Sequence, residues 1–155
     1  MPQTLTLRSY PVSIGTGQAL CVMAGLNVLE SRDLALRVGE TLKETCEQLG
    51  LPYVFKASFD KANRSSITSY RGPGLDDGLE ILAAVKAAHD VPIITDYHTA
   101  QQAEPVAEVA DILQVPAFLC RQTDLVVAGA KAIEARGGWL HVKKAQFLAP
   151  WDAKN

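Results

Sequence analysis

Short apolar runs alternate with longer segments of helical period along the whole 155-residue chain. Apolar runs of about four to eight residues bounded by turn residues are typical of buried parallel strands. The alternation of such runs with helices predicts an α/β protein built on a parallel sheet. We expect five strands, preceded by a short hairpin of residues 5–7 and 12–14, at residues 20–24, 53–57, 92–96, 111–115 and 139–143.

The number of strands favours one architecture. A complete (β/α)8 barrel uses roughly 250 residues, or about 31 per unit, so a chain of this length corresponds to about five of the eight units. We therefore predict a single domain over residues 1–155, an incomplete parallel barrel of TIM type with an N-terminal β-hairpin. The alternative is an open, doubly wound sheet, but neither a Gly-x-Gly-x-x-Gly run after the first strand nor a Walker pattern supports it.

Composition excludes several classes of function. The chain is 48% hydrophobic and 21% charged, which fits neither a disordered nor a membrane protein. Its formal net charge of −2 gives it no global attraction for nucleic acid, so we expect neither nucleic-acid nor membrane partners. Cys21, Cys46 and Cys120 lack the spacing of a disulfide framework or a zinc site, and residues 1–6 do not resemble a secretion signal. These features predict a cytoplasmic protein.

The densest group of functional side chains, residues 55–66, comes at the carboxyl end of the second strand, where parallel α/β folds place their sites. Alternation along the strand directs Lys56 and Ser58 to the inside of the barrel. Lys56, Lys61 and Arg64, with nearby serine hydroxyls, could hold a phosphate or a carboxylate. The alternative for Lys61 is a solvated surface charge.

Other strands contribute polar residues to the same mouth. On the fifth strand, alternation separates Lys143 from Lys144, and we expect Lys143 to point inward and Lys144 to be an exposed charge. Asp96 and Gln114 end the third and fourth strands. Asp96 could equally form a turn or cap a helix, and His98 shares that ambiguity.

Several runs together resemble 3-deoxy-D-manno-octulosonate 8-phosphate synthases. They follow the family's order over nearly the whole chain but cover only the N-terminal part of its barrel. The runs are residues 27–33 (NVLESRD), 52–66, 70–74 (YRGPG), 116–124 and 142–147.

The resemblance implies a reaction and roles for its residues. Family members condense phosphoenolpyruvate with arabinose 5-phosphate to make a lipopolysaccharide precursor and release phosphate. By resemblance, Lys61, Asp96 and Lys143 are catalytic. The implied phosphoenolpyruvate ligands are Lys56, Ser58, Lys61, Gln114 and Lys143. The implied arabinose 5-phosphate ligands are Asn63, Arg64, Ser65 and Arg121, of which Arg121 would act across a homotetramer interface.

The resemblance also bears on cofactors and completeness. Asn27 stands where some members have a metal-binding cysteine, which indicates the metal-independent branch and no cofactor. Because the family's later strands supply further ligands, we expect the chain alone to be inactive, as a truncated product or one that needs a complementing C-terminal fragment. Two alternatives are a non-catalytic phosphate- or carboxylate-binding module and the related synthase that uses erythrose 4-phosphate.

Overall fold

The computed structural model describes residues 4–154. An antiparallel hairpin of β1 (Leu5–Thr6) and β2 (Ser13–Ile14) precedes a five-stranded parallel sheet. The hairpin and the five strands are those expected from the sequence. The strands of the sheet follow one another in space as in the chain, in the order β3 (Val22–Leu26), β4 (Tyr53–Ala57), β5 (Ile93–Asp96), β6 (Ile112–Val115) and β7 (Trp139–Val142).

The first strand of the sheet begins two residues later than the apolar run suggested. Leu20 is 76% exposed, and the pairing with β4 starts at Val22, which lies opposite Tyr53. Gly25 pairs with Lys56, and a Cβ atom at Gly25 would lie 2.2 Å from the Lys56 carbonyl oxygen. Only glycine therefore allows β3 to approach β4 this closely.

Four helices connect the strands: α1 (Arg32–Gln48), α2 (Leu75–His89), α3 (Ala103–Val109) and α4 (Thr123–Glu134). The backbone N–H of Leu34 donates to Ser31 Oγ at 3.2 Å, which caps α1 as its sequence predicts. Short 3-10 turns lie at Ala100–Gln102, Ala117–Leu119 and Pro150–Lys154. No helix within residues 4–154 combines the length and apolar composition needed to cross a bilayer.

The two faces of the sheet are covered differently. Phe55 and Ala57 lie on the face that packs against the helices, in a core that includes Leu82 of α2 and Val106 of α3. Val54 lies on the other face, in a smaller core. This core joins Leu7 and Val12 of the hairpin to Ile94 of β5 and Ile112 of β6. The helices thus cover one face, and the hairpin covers part of the other.

The strand order excludes the doubly wound alternative. In a doubly wound sheet the strand order reverses and helices cover both faces. Here each new strand is added beside the previous one, always in the same direction across the sheet. The sheet is nevertheless open: among residues 4–154, β3 and β7 each pair with a single neighbouring strand. The structure is therefore a singly wound α/β sheet with a hairpin, and the described part does not close into a barrel.

Candidate active site

The three central strands, β4, β5 and β6, share a pattern on the face away from the helices. Each carries an apolar residue there, followed two positions later by a polar residue. Val54 is followed by Lys56, Ile94 by Asp96, and Ile112 by Gln114. Asp96 and Gln114 are paired in the ladder and stand at one level of the sheet, whereas Lys56 is paired with Ile94, one step lower. The hairpin packs on the apolar layer and leaves the polar layer, at the carboxyl ends of the strands, uncovered.

An open cavity of about 810 Å³ lies over this polar layer. It brings together nine residues singled out from the sequence: Asn27, Lys56, Lys61, Asn63, Asp96, His98, Gln114, Lys143 and Lys144. Residues at the carboxyl ends of all five strands of the sheet, and from the loop after β4, therefore border one space. The shared cavity confirms that Lys56 and Lys143 point to the same side of the sheet.

Lys56 is the cation most affected by its surroundings. Burial lowers the pKa of its ammonium group, and the charges of Lys61 and Lys143 lower it further. The carboxylate of Asp96 opposes these effects only in part. Four lysines, Lys56, Lys61, Lys143 and Lys144, thus line a cavity that contains one carboxylate, so the cavity favours an anionic ligand.

Asp96 stays ionised despite its burial. Burial alone would raise its pKa, but contacts with His98 and Ser58 outweigh that effect, so the pKa lies below its usual value. His98 Nε2 lies 3.3 Å from Asp96 Oδ2, while Ser58 Oγ approaches the carboxylate without completing a hydrogen bond of standard geometry. The cavity wall therefore holds a negative charge beside Lys56.

Ser58 is less accessible than its predicted role requires. It is 0% exposed and supports Asp96 from within the fold instead of lining the cavity. Its role as a phosphoenolpyruvate ligand stays a prediction.

The loop between β4 and α2 is folded back on itself. Arg71 donates to both carboxylate oxygens of Asp60, at 2.7 and 2.6 Å, and the Lys61 N–H donates to the Arg71 carbonyl. Arg64 donates to the Ser69 carbonyl at 2.6 Å. These bonds fix the backbone from which Lys61 reaches the cavity.

The remaining predicted sugar-phosphate ligands lie outside the cavity. Arg64 and Ser65 do not line it, and Arg121 borders a separate groove of about 400 Å³ beside α4. Their roles stay predictions.

Three residues of the rim were not assigned a role from the sequence. His98 and Gln146 line the cavity, and His141 is paired with Gln114 in the ladder. Burial, followed by the charges of Lys56 and Lys143, lowers the pKa of His141, so its ring is neutral near pH 7. Strand alternation puts His141 on the same face as Lys143, and that is the sequence signal by which it can be found.

Lys144 differs in part from its expected role as an exposed charge. The residue is exposed, but its ammonium group donates to the carbonyls of Ala145 and Leu148, each at 2.8 Å. Lys144 thus ties together the turn that follows β7.

The described residues show no ready metal centre: within 4–154, no group of three or more His, Cys, Asp or Glu side chains is arranged to hold an ion. Asn27 lines the cavity, but as an amide among lysines.

Comparison with known proteins identifies relatives. Proteins named 2-dehydro-3-deoxyphosphooctonate aldolase are 56% identical in Hahella chejuensis, covering 98% of this chain and 53% of the relative, and 57% identical in Pseudomonas putida, covering 96% and 52%. The Colwellia psychrerythraea relative is 54% identical, covering 97% and 54%. These names confirm the resemblance found in the motifs, and the chain spans about half the length of these relatives. Residues 3–155 match the model described as the DAHP synthetase I family, and the chain belongs to that family.

Proposed function

We propose that this chain supplies a substrate-binding part of an enzyme that condenses phosphoenolpyruvate with arabinose 5-phosphate. The products are 3-deoxy-D-manno-octulosonate 8-phosphate and inorganic phosphate. The observation that carries the proposal is the convergence of Lys56, Lys61 and Lys143 around one open cavity that also contains Asp96. The names of the relatives support the same reaction.

The charges in the cavity suit phosphoenolpyruvate, which carries a carboxylate and a phosphate. Lys56, Lys61 and Lys143 would hold these anions, with the Gln114 amide as a further donor. In the reaction, C3 of phosphoenolpyruvate forms a bond with the aldehyde carbon, water adds at C2, and phosphate leaves by C–O cleavage. Fixed cations would stabilise the charge that develops without a covalent nucleophile.

Asp96 would act on the water. Its lowered pKa keeps the carboxylate ionised, so it can accept the proton that the water loses as its oxygen bonds to C2. Its place among lysines would hold it close to the reacting carbons.

The aldose phosphate would bind through Asn63, Arg64 and Ser65. Asn63 already lines the cavity, whereas Arg64 and Ser65 lie on the adjoining part of the same loop. Arg121 would reach the site of a neighbouring subunit in a homotetramer. Asn27 supports a reaction without a bound metal, because by resemblance it replaces the cysteine ligand of metal-dependent relatives.

The sheet would be completed by strands that the relatives carry beyond the matched half. The unpaired edges of β3 and β7 and the relatives' greater length support a closed barrel of TIM type. We propose that turnover requires this second half, either within one chain or as a complementing fragment.

Binding is tested by calorimetry with phosphoenolpyruvate. The chain should bind it, and Lys143→Met should weaken binding by about tenfold or more, as expected for loss of a charge-assisted contact. Lys131→Met, a change at an exposed lysine of α4, is the matched control and should bind normally. Equal affinity in all three proteins, or none in the unmodified chain, would contradict the proposed site.

Turnover is tested in a chimera that joins this chain to the unmatched C-terminal part of the Pseudomonas putida relative. It should release phosphate with arabinose 5-phosphate and much less with erythrose 4-phosphate. The opposite preference would indicate the related synthase. Binding without phosphate release would instead indicate a non-catalytic module.

A further inference from the structure

The imidazole of His98 contacts the Asp96 carboxylate. His98 Nε2 lies 3.3 Å from Asp96 Oδ2, and the two side chains are 13% and 10% exposed. Both line the cavity. A contact at this distance between two such protected groups is sheltered from bulk water, so it constrains both side chains.

The imidazole ring is itself fixed from other directions. Phe59 meets it edge to face, with ring centroids 5.9 Å apart and an interplanar angle of 79°. The backbone N–H of His98 donates to Gln102 Oε1 at 2.8 Å, which ties the backbone at His98 to the turn before α3. Phe59 cannot easily move, because it is buried against Gly78, where even a Cβ atom would lie 2.3 Å from Phe59 Cβ. His98 is therefore a rigid support.

The carboxylate has one other close polar neighbour, Ser58, whose hydroxyl completes no hydrogen bond of standard geometry with it. Asp96 Oδ1 and Ser58 Oγ are buried without a hydrogen-bond partner among the described residues, and so is His98 Nδ1. The other charged groups around this pair are Lys56 on β4, Lys61 in the following loop, Lys143 and Lys144 after β7, and Asp124 on α4. Lysine charges attract the carboxylate without setting its rotation. An imidazole nitrogen held 3.3 Å from one carboxylate oxygen restricts that rotation, and facing a carboxylate favours the tautomer that carries the proton on Nε2.

We infer that His98 is a positioning residue that directs the Asp96 carboxylate toward the reacting water through the Nε2–Oδ2 contact. The catalytic consequence rests on the proposed function. The physical coupling between the two side chains does not, so the two can be tested apart.

The coupling is tested by carboxyl-carbon NMR of the chain, with the Asp96 signal assigned from Asp96→Asn. His98→Leu should raise the pKa of Asp96, because the contact with His98 is among the groups that lower it. His98→Gln, which keeps an N–H donor, should restore most of the lowering. His89→Gln is the matched control, since His89 contacts the Leu36 carbonyl on the helix side. An unchanged Asp96 pKa in folded His98→Leu would overturn the inference.

Should His98→Leu fail to fold, His98→Asn takes its place, because its side chain is polar but too short to reach Asp96. The same rise in the pKa of Asp96 is expected, and its absence counts against the inference equally.

The catalytic consequence is tested in the chimera. His98→Leu should lower kcat by about 10- to 100-fold, the scale of misplacing a catalytic group, with little change in KM for phosphoenolpyruvate. His98→Gln should recover most of kcat. A raised KM with unchanged kcat would show that His98 instead binds substrate directly. If the unmodified chimera releases no phosphate, the proposed function fails, while the NMR result still decides the coupling.

Discussion

Replacing Lys56 with methionine should separate binding from stability. Lys56 supplies a cation to the cavity, and a hydrogen bond to a charged group contributes about 1.5–3 kcal/mol. Losing it should weaken phosphoenolpyruvate binding by about 10- to 150-fold, since each 1.4 kcal/mol is about tenfold. Methionine keeps the length of the apolar stem, so the change removes charge more than packing.

The same change should leave the folded chain at least as stable at neutral pH. Burial and two neighbouring lysines lower the pKa of Lys56, which means that folding disfavours its charged form. Between that lowered pKa and the unfolded value of 10.5, the unfolded chain binds more protons, so stability rises with pH. The Lys56→Met protein lacks this contribution, and its advantage over the original chain should shrink as the pH approaches 10.5.

Urea unfolding at neutral pH and near pH 10, paired with calorimetry, checks both halves of this prediction. The quantity to compare is the difference in free energy of unfolding between the two proteins at each pH. In this difference the ionisation of the tyrosines and cysteines that both proteins share cancels. Lys131→Met controls for a general effect of removing a lysine. A destabilised Lys56→Met protein that binds phosphoenolpyruvate normally would refute the reasoning, because it would show Lys56 to be a structural residue.

Three further changes test other parts of the molecule. Gly129→Ala should destabilise the fold by about 1–3 kcal/mol in urea unfolding, because the new Cβ would lie 1.9 Å from the buried Tyr97 hydroxyl. Asp111→Asn should cost about 1–3 kcal/mol by removing the ion pair with Lys86, whose N–O distance is 2.9 Å, and calorimetry should show unchanged phosphoenolpyruvate binding. Because the pKa of Asp96 is lowered in the folded chain, its carboxylate adds stability above pH 3.8, and this stability is lost as the pH falls through the pKa of the folded state. The Asp96→Asn protein should lack this contribution when unfolding is followed as a function of acid pH.

Strand alternation accounts for what the sequence could predict about the site. A period of two puts Lys56 on the face opposite Phe55, and the same rule separates Lys143 from Lys144. The assignment of Lys56 agrees with the structure, since Phe55 belongs to the core on the helix side and Lys56 lines the cavity. The separation of Lys143 from Lys144 does not hold in full, because β7 ends at Val142 and both lysines line the cavity. The covering of the inner face by the hairpin was not predicted, since it depends on contacts between Leu7 and residues far along the chain.

His98 shows where alternation becomes hard to use. The rule places it on the same face as Asp96 only if the strand geometry continues beyond the last ladder residue. It does continue, because the Tyr97 N–H donates to the Gln114 carbonyl at 3.3 Å. Nothing in the local sequence indicates this bond. The hydrogen bonds of the Lys144 ammonium group are equally unpredictable from the local sequence, because they depend on how the turn after β7 folds.

The two layers of the inner face explain why binding and stability can be separated in this fold. The lower layer, with Val54, Ile94 and Ile112, is apolar and packs under the hairpin. The upper layer gathers lysines, and folding disfavours the charged form of one of them, as the lowered pKa of Lys56 shows. Both layers lie on the same strands, so a slip of one residue would bury the lysines under the helices and expose the apolar residues. The packing that keeps the hairpin in place therefore also fixes which side chains can meet an anion.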